Sequence, residues 1–270
     1  MIRVLGLAFA FALPTFADTP ALKPAEYVAV QAGKLPVLIS APHGGAKDVP
    51  GARPRTGEGL TKGGAGFFAG RDTGTEELAH AIAAAVETKL GAKPYFVIAR
   101  FHRKYLDANR PPEIGLEGPA ARPVYDAYHD TLAKYCKAVK TEFGRGLLID
   151  VHGQGTAKDT IFRGTQNGKT VTLLRQRFGE QAHTGERSLF GLLAANGCKV
   201  FPADGTGKEQ AGFTGGHIVQ KYGSHDGYGI DAMQLEFGGD YRSKAAREKT
   251  ADRVAAAVAK YHELYLSKKD

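Results

Sequence analysis

The sequence predicts an α/β fold: a single domain built as a three-layer sandwich, in which a mixed, mostly parallel sheet is covered by helices on both faces. Short continuous apolar runs alternate along the chain with longer segments whose apolar residues recur every three to four positions. The runs are typical of strands buried on both faces, and the recurring pattern is typical of amphipathic helices. Strands that alternate with such helices favour a parallel sheet.

Each predicted element has its own pattern. Apolar runs bounded by turn residues predict buried strands, and the two longest helical segments are each followed by a glycine, which favours a helix terminus. Weaker strand patterns surround Ile161 and Val171. The other elements are, in order, strand 35–40, an extended loop over 44–71, helix 78–90, strand 95–99, helix 124–143, strand 146–151, helix 188–195, strand 232–236 and helix 251–265.

The N-terminus has the features of an export signal. Arg3 supplies a positive charge, residues 4–13 are almost wholly apolar, and residues 14–17 include the small residues that a signal peptidase reads. The apolar run is shorter than the roughly 20 residues that span a bilayer. We therefore expect a signal peptide over 1–17, one domain over 18–270, and an exported protein, periplasmic or secreted, with no membrane segment after cleavage. A buried N-terminal helix is the alternative.

The net charge and its distribution indicate the class of partner. A formal net charge of +8 favours anionic partners such as a cell-wall polymer or small carboxylates. Lysine and arginine are spread along the chain rather than clustered, so we expect no nucleic acid partner.

Cys136 and Cys198 form either a disulfide or two packed thiols, and the sequence leaves both open.

Two histidines follow predicted buried strands, and each is followed by glycine: His43 in Ser-Ala-Pro-His-Gly-Gly and His152 in Ile-Asp-Val-His-Gly. The carboxyl ends of parallel strands meet at one edge of a sheet, where ligands bind. A catalytic zinc site takes three protein ligands and leaves one position for water. Asp72, at the predicted start of the first long helix, is the third candidate ligand, with Glu76 in reserve. A helix N-cap is the competing role for Asp72.

Other polar residues near strand ends are candidates for the remaining chemistry. Asp150 lies on the same side of its strand as His152 and either orients an imidazole or is itself a ligand. Glu236 ends an apolar strand, where it is either a general base or a salt-bridged residue. The segment 100–112 is rich in donors: Arg103 could polarise a carbonyl, while Arg110 with Asn109 matches a carboxylate. A solvated charge run is the alternative there.

Seven further histidines remain. His217 and His225 lie in the glycine-rich stretch 215–229 and are candidates for substrate contacts. The other five fall on predicted helices or surface segments and receive no role: His80, His102, His129, His183 and His262.

Five ordered segments of the chain resemble the N-formylglutamate amidohydrolase family, and together they span most of the mature chain. That family is similar in fold to zinc carboxypeptidases, aspartoacylases and N-acetylmuramoyl-L-alanine amidases, with an α/β sandwich that carries zinc at its strand ends. The segments are Ser-Ala-Pro-His-Gly-Gly over 40–45, Asp-Thr-Gly-Thr-Glu-Glu-Leu-Ala over 72–79, His-Arg-Lys-Tyr-Leu-Asp-Ala-Asn-Arg over 102–110, Leu-Ile-Asp-Val-His-Gly over 148–153 and Gln-Leu-Glu over 234–236.

The resemblance implies roles for these residues. It implies one zinc per chain on His43, His152 and a carboxylate, with Glu236 as the base. Asn109-Arg110 is similar to the pair that holds a substrate carboxylate in the wider superfamily, and Arg103 is similar to its carbonyl-polarising arginine. One departure is Ala46, which stands where the carboxypeptidases have a glutamate ligand three residues after the first histidine. The acidic ligand must therefore come from elsewhere, which favours Asp72.

Two classes of function follow from these patterns. The first is a zinc-dependent hydrolase of the amide bond in an N-formyl or N-acyl amino acid, or in a muramoyl peptide of the cell wall. An export signal favours a substrate other than formylglutamate, whose breakdown is cytoplasmic. The second class is a non-catalytic periplasmic binding protein for an anionic ligand. Binding alone does not require a residue such as Glu236, so the sequence favours the hydrolase.

Overall fold

A seven-stranded sheet forms the centre of the protein. The computed structural model describes residues 22–60, 66–203 and 207–267, and the predicted signal segment 1–17 lies outside them. The strands are β1 (Val28–Gln31), β2 (Val37–Ala41), β3 (Tyr95–Ala99), β4 (Leu147–Gly153), β5 (Ile161–Gly164), β6 (Val200–Phe201) and β7 (Asp231–Phe237).

Helices connect the strands and pack on both faces of the sheet. Short 3-10 turns lie at Pro24–Glu26, Pro119–Ala121 and Lys169–Val171, and a π-helical turn covers His262–Leu266. The α-helices are α1 (Thr75–Leu90), α2 (Pro112–Gly115), α3 (Arg122–Phe143), α4 (Thr172–Phe178), α5 (Gln181–Thr184), α6 (Leu189–Ala195), α7 (His217–Tyr222), α8 (Gly239–Arg242) and α9 (Arg247–Tyr261).

The sheet is mixed and mostly parallel, as the sequence predicts. Its strand order is β1-β3-β2-β4-β7-β5-β6. The central strands β3, β2, β4 and β7 are parallel to one another, whereas β1 pairs antiparallel with β3 and β5 pairs antiparallel with β7. The carboxyl ends of the four central strands therefore share one edge, and the residues that follow them are brought together there.

The side-chain alternation of the strands divides the core into two layers. Along β2, Val37 and Ile39 pack with apolar side chains of α1 and α9 on one face, whereas Leu38 packs with α3 and α7 on the other. Because successive side chains of a strand point to opposite faces, a strand buried on both faces must be apolar throughout. The result is the predicted helix–sheet–helix sandwich.

Local patterns predict the long elements of the fold but not every short one. Both long helices end where predicted, at Gly91 and Gly144, which adopt the left-handed conformation with φ of 70° and 74°. The expected strand at Val171 is wrong, because this residue lies in a 3-10 turn before α4. The edge strands β1 and β6 and the short helices α2, α4, α5, α7 and α8 have no counterpart among the predicted elements. Within the described ranges, no helix has the length and apolar character needed to cross a bilayer.

The two cysteines lie in different layers of the core. Cys136 packs among the residues of α3 on one face of the sheet, and Cys198 packs with α6 and α9 on the other. Both are buried free thiols. Burial raises the pKa of each thiol, which keeps both protonated at neutral pH. The sheet between them rules out a bridge, because a disulfide needs Cα atoms within about 7 Å.

We therefore expect two unreactive thiols in the native protein and two reactive thiols after denaturation. Titration with a chromogenic thiol reagent, without reductant, counts the reactive thiols in the native and in the denatured protein. A reduced sample in the same denaturant is the control. Fewer than two reactive thiols in the unreduced, denatured sample would contradict this arrangement.

Candidate functional site

A polar row crosses the α3 face of the sheet near the carboxyl ends of β2, β4 and β7. Ser40, Asp150 and Gln234 are paired across these three strands, and His152 is paired with Glu236 one step further along. These positions share a face because they are two residues apart on each strand. Earlier positions on the same face are apolar, so the polar residues collect only at the strand ends.

His43, Asp72 and His152 form a buried group that could hold a metal ion. Their candidate ligand atoms all lie within 4.8 Å of one another. The Oδ2 atom of Asp72 is 3.4 Å from Nδ1 of His43 and 3.4 Å from Nδ1 of His152. Metal bonds of about 2.0–2.1 Å at tetrahedral angles place neighbouring ligand atoms roughly 3.4 Å apart, which matches both distances.

The surroundings of one histidine nitrogen show whether the group fits a metal ion. Nδ1 of His43 is buried and has no hydrogen-bond partner among the described residues. A buried polar atom left without a partner is costly, and native proteins rarely keep one without a ligand or a functional reason. A metal ion bound at this nitrogen would satisfy it, so the residues present fit the ion.

The backbone before α1 directs Asp72 toward the histidines and excludes the competing role of a helix cap. The helix starts at Thr75, its N-cap is Gly74 with a φ of 88°, and Asp72 lies in the preceding turn. The Asp72 amide donates to the carbonyl of His43 (3.0 Å), and its carboxylate accepts from the amide of Gly153 (3.0 Å). Glu76 lies in the helix itself and is not part of the group.

The second ring nitrogen of each histidine is bound by a carboxylate. Nε2 of His43 donates to Asp107 (2.7 Å), and Nε2 of His152 donates to Asp150 (2.8 Å), which also accepts from Ser40 (2.5 Å). A carboxylate can only accept, so each Nε2 carries the hydrogen. Nδ1 of each ring is then the atom that can present a lone pair to a metal ion.

The buried carboxylates favour positive charge in this group. Burial alone would raise the pKa of Asp72, but the adjacent imidazoles of His152 and His43 and their charges lower it below the ordinary value. Burial would lower the pKa of His152, whereas the charge of Asp150 raises it well above the ordinary value. A metal ion can supply the same charge in place of the proton.

Asp107 is a site residue that no local sequence pattern singles out. It is fully buried, and it accepts hydrogen bonds from His43, from the amide of Asn109 (2.9 Å) and from Nε and Nη2 of Arg103 (2.8 and 2.7 Å). Burial opposes its ionisation, but the charges of His43 and Arg103 hold its pKa well below the ordinary value. Its only sequence signal is its place in the donor-rich segment 100–112.

Glu236 is buried at the end of β7 and has a defined partner. Its Oε1 accepts from Nε2 of Gln234 (2.7 Å), whose own Oε1 accepts from the amide of Gly216 (2.8 Å). Burial raises the pKa of Glu236 to about 7, against the lowering effect of His152, and the charges of Asp72 and Asp150 add to the increase. A carboxyl group in this range can both accept and donate a proton near neutral pH.

Asn109 and Arg110 are held beside the group by the start of α7 and by their own loop. Asn109 accepts from the amide of Ile218 (2.8 Å), and its Nδ2 is 3.4 Å from Nε2 of His152. Arg110 donates to the carbonyl of Asn109 (2.8 Å) and to that of Gly66 (3.3 Å). Both side chains line the cleft described next.

One cleft, with a volume of about 760 Å³, brings the candidate residues together. His217, one of the two possible substrate contacts, also lines this cleft, whereas His225 does not. The candidate site residues that line it are His43, Asp72, Arg103, Asn109, Arg110, His152 and Glu236.

Comparison with known proteins identifies the fold. No family model and no curated protein sequence matches the chain. The crystal structure of N-formylglutamate amidohydrolase from Ralstonia eutropha JMP134 is similar, with a TM-score of 0.55 and 15% identity over 88% of this chain and 98% of that one. A gene product of Agrobacterium tumefaciens gives a TM-score of 0.53 and 17% identity over 89% and 95%. At such identities the likeness shows the fold alone, and for the fold it confirms the resemblance drawn from the sequence.

The carboxylate of Asp107 leads to a prediction about metal binding. Asp107→Asn removes the buried charge and places an NH₂ group near either Arg103 or His43. We expect the affinity for zinc to fall about 10- to 100-fold, as is typical when a residue that orients a ligand is lost. Competition with a chelator of known affinity measures the change.

The matched control is Asp126→Asn, which removes an exposed carboxylate paired with Arg122 on α3. It should bind zinc as the wild type does. Equal affinities for the two variants would mean that Asp107 does not orient His43 for a metal.

Proposed function

We propose that the protein is a zinc-dependent amidohydrolase that cleaves the amide bond of an N-formyl or N-acyl amino acid. The buried group of His43, Asp72 and His152, with Glu236 on the adjoining strand, is the observation that carries the proposal. The fold shared with the Ralstonia N-formylglutamate amidohydrolase supports it. The N-terminal pattern supports action outside the cytoplasm.

The metal ligands in this proposal are Nδ1 of His43, Nδ1 of His152 and the carboxylate of Asp72. Two imidazoles and one carboxylate are a ligand set that zinc uses in hydrolytic enzymes, with the fourth position left for water or substrate. When bound, zinc lowers the pKa of water and polarises a carbonyl oxygen. Asp107 and Asp150 keep the two rings in the orientation that this set needs.

Glu236 and Arg103 supply the remaining catalytic groups. Glu236 takes a proton from the attacking water and returns it to the leaving amine nitrogen, and a pKa of about 7 suits both steps. Arg103 uses Nε and Nη2 to bind Asp107, and its Nη1 lies 3.9 Å from Oδ1 of Asp72, beside the metal group. In this proposal Nη1 donates to the oxyanion that forms from the carbonyl. The salt bridge with Asp107 fixes the direction of that donor.

Arg110 and Asn109 bind the free carboxylate of the substrate in this proposal. A guanidinium fork matches a carboxylate with two parallel hydrogen bonds, and Nδ2 of Asn109 adds a third donor. Because Asn109 lies next to His152, a carboxylate held here places the neighbouring amide bond at the metal group. The partner is thus a small amide that carries a carboxylate.

A muramoyl-peptide amide of the cell wall is the second candidate substrate. The cleft volume of about 760 Å³ favours it, because a formyl amino acid would fill only part of this space. A non-catalytic binding protein for an anionic ligand is the competing class. The position of Glu236 beside His152 argues against it, because binding alone does not require a buried carboxyl group there.

Glu236→Gln tests the proposed function directly. The variant keeps the shape and the hydrogen-bonding capacity of the side chain but cannot accept a proton. We expect it to fold and to bind zinc and substrate, while kcat falls about 10²- to 10⁴-fold. Zinc content, ligand affinity and kcat are measured on one preparation, with a panel of N-acyl amino acids and muramoyl peptides.

Glu58→Gln, an exposed substitution outside the cleft, is the control and should retain wild-type turnover. Turnover by Glu236→Gln within a few-fold of wild type would place the base elsewhere. A wild-type protein that binds these amides but hydrolyses none of them would establish the binding-protein class instead.

Arg110→Lys tests the carboxylate subsite. The substitution keeps the positive charge but removes the planar fork, so we expect kcat/KM to fall at least about tenfold for a carboxylate-bearing substrate. The same ratio is measured for the amidated analogue, which lacks the carboxylate. If the wild-type kcat/KM is the same for the carboxylate-bearing substrate and its amidated analogue, Arg110 does not bind a carboxylate.

A further inference from the structure

Two carbonyl groups of the loop after β3 are bound by side chains of a single helix. Nε2 of His129 donates to the carbonyl of Ala108 (2.9 Å), and the hydroxyl of Tyr125 donates to the carbonyl of Arg110 (2.8 Å). Both side chains belong to α3, and their rings pack together with centroids 4.4 Å apart. The two bonds therefore hold the backbone on either side of Asn109.

The spacing and the burial of these two side chains explain why they act as a pair. Residues four apart on a helix lie on the same face, one turn from each other. Tyr125 and His129 are 3% and 4% exposed, so water does not readily replace the carbonyl that each of them binds. A buried donor without an acceptor is costly, and the helix and the loop are therefore fixed to each other at two points.

The partners of the His129 ring determine which nitrogen carries its hydrogen. The Ala108 carbonyl can only accept, so the hydrogen lies on Nε2. Burial lowers the pKa of His129 to about 3, which keeps the ring neutral near neutral pH. Nδ1 of the neutral ring then accepts from the hydroxyl of Tyr222 (2.9 Å), the last residue of α7. His129 is thus held by α7 while it holds the loop.

Helix α7 also binds the side chain that lies between the two carbonyls. The amide of Ile218, just after the cleft wall formed by 212–217, donates to Oδ1 of Asn109 (2.8 Å). Nδ2 of Asn109 is then directed toward His152, 3.4 Å from its Nε2. Residues 108–110 are therefore held by α3 through their backbone and by α7 through a side chain.

The preceding residue, Asp107, has separate anchors. Its amide donates to the carbonyl of Gly115 (2.9 Å), and its carboxylate is bound by His43 and Arg103. The contacts from α3 thus reach the proposed carboxylate subsite directly, whereas the orientation of His43 depends on other bonds. Neither of the α3 side chains lines the cleft, so both act on a substrate only through the loop.

We propose that Tyr125 and His129 are positioning residues for the carboxylate subsite, because they hold the backbone on both sides of Asn109. The inference rests on the proposed function, in which Asn109 and Arg110 bind the substrate carboxylate. Donors that are already in place bind a ligand without the cost of ordering them first. Loss of either contact should therefore weaken recognition of the carboxylate and leave the metal group unchanged.

Tyr125→Phe removes one hydroxyl and leaves the ring in place. We expect KM to rise about 2- to 10-fold, as for one lost hydrogen bond, with kcat and zinc content unchanged. KM is measured with the N-acyl amino acid that the wild type hydrolyses best and with its amidated analogue, which lacks the carboxylate. For the analogue, kcat/KM should equal the wild-type value.

Two substitutions of His129 separate its hydrogen bond from its packing. His129→Leu has no donor and should raise KM at least as much as Tyr125→Phe does. His129→Gln places an NH₂ donor near the position of Nε2 and should restore most of the wild-type KM. Tyr135→Phe is the matched control and should behave as the wild type, because Tyr135 lies on the same helix but packs on Tyr95 at the start of β3.

Amide hydrogen exchange gives a second readout that needs no substrate. The amides of Asn109 and Arg110 donate to Oδ1 and to the carbonyl oxygen of Asp107 (2.9 and 3.2 Å). In Tyr125→Phe and His129→Leu, both amides should exchange about threefold faster or more, whereas amides in the middle of β4 should not change. Wild-type exchange rates at 109 and 110 in both variants would overturn the positioning role.

The failure of this role and the failure of the proposed function have different signatures. Wild-type protein that hydrolyses no N-acyl amide overturns the proposed function, and the exchange rates still decide whether α3 holds the loop. If KM rises equally for the carboxylate-bearing substrate and its amidated analogue, or if exchange quickens while KM stays the same, the contacts only stabilise the fold. Either result overturns the inference.

Discussion

The burial of three aspartates at one edge of the sheet is the constraint on which the site depends. Asp72, Asp107 and Asp150 are each at most 6% exposed, and an uncompensated buried carboxylate would be too costly to keep ionised. Asp107 is compensated by Arg103 and an imidazole, and Asp150 by an imidazole and a hydroxyl. Asp72 lies between the two imidazoles, where a metal ion would complete the balance of charge.

This charge balance also sets the chemistry of the imidazoles. Asp107 binds Nε2 of His43, and Asp150 binds Nε2 of His152. Both rings therefore turn Nδ1 toward Asp72. The orientation comes from Asp107, in a loop after β3, and from Asp150, within β4 itself. The rigid sheet thus positions one ring directly and the other through a neighbouring loop, and that loop also carries Arg103, Asn109 and Arg110.

The cleft wall is connected to the proposed base through a short chain of hydrogen bonds. Gly216 in the wall donates to Gln234, and Gln234 donates to Glu236. The same wall supplies the Gly215 carbonyl that orients Gln166 and Gln220. One backbone segment therefore lines the cleft and supports the proposed base, and Glu209 ties the start of that segment to the turn after β5.

The sequence by itself determined the order of helices and strands and the mostly parallel sheet. It also determined that His152 and Glu236 lie on strands and that His43 lies just beyond one. These features depend on local periodicity and on turn residues. Tertiary structure alone decided that Asp72 rather than Glu76 faces the histidines, since the true start of α1 sets its direction. It also revealed Asp107, which lies 64 residues from His43, and it separated the two cysteines. These outcomes depend on contacts between residues far apart in sequence, and no local pattern records which distant groups will meet.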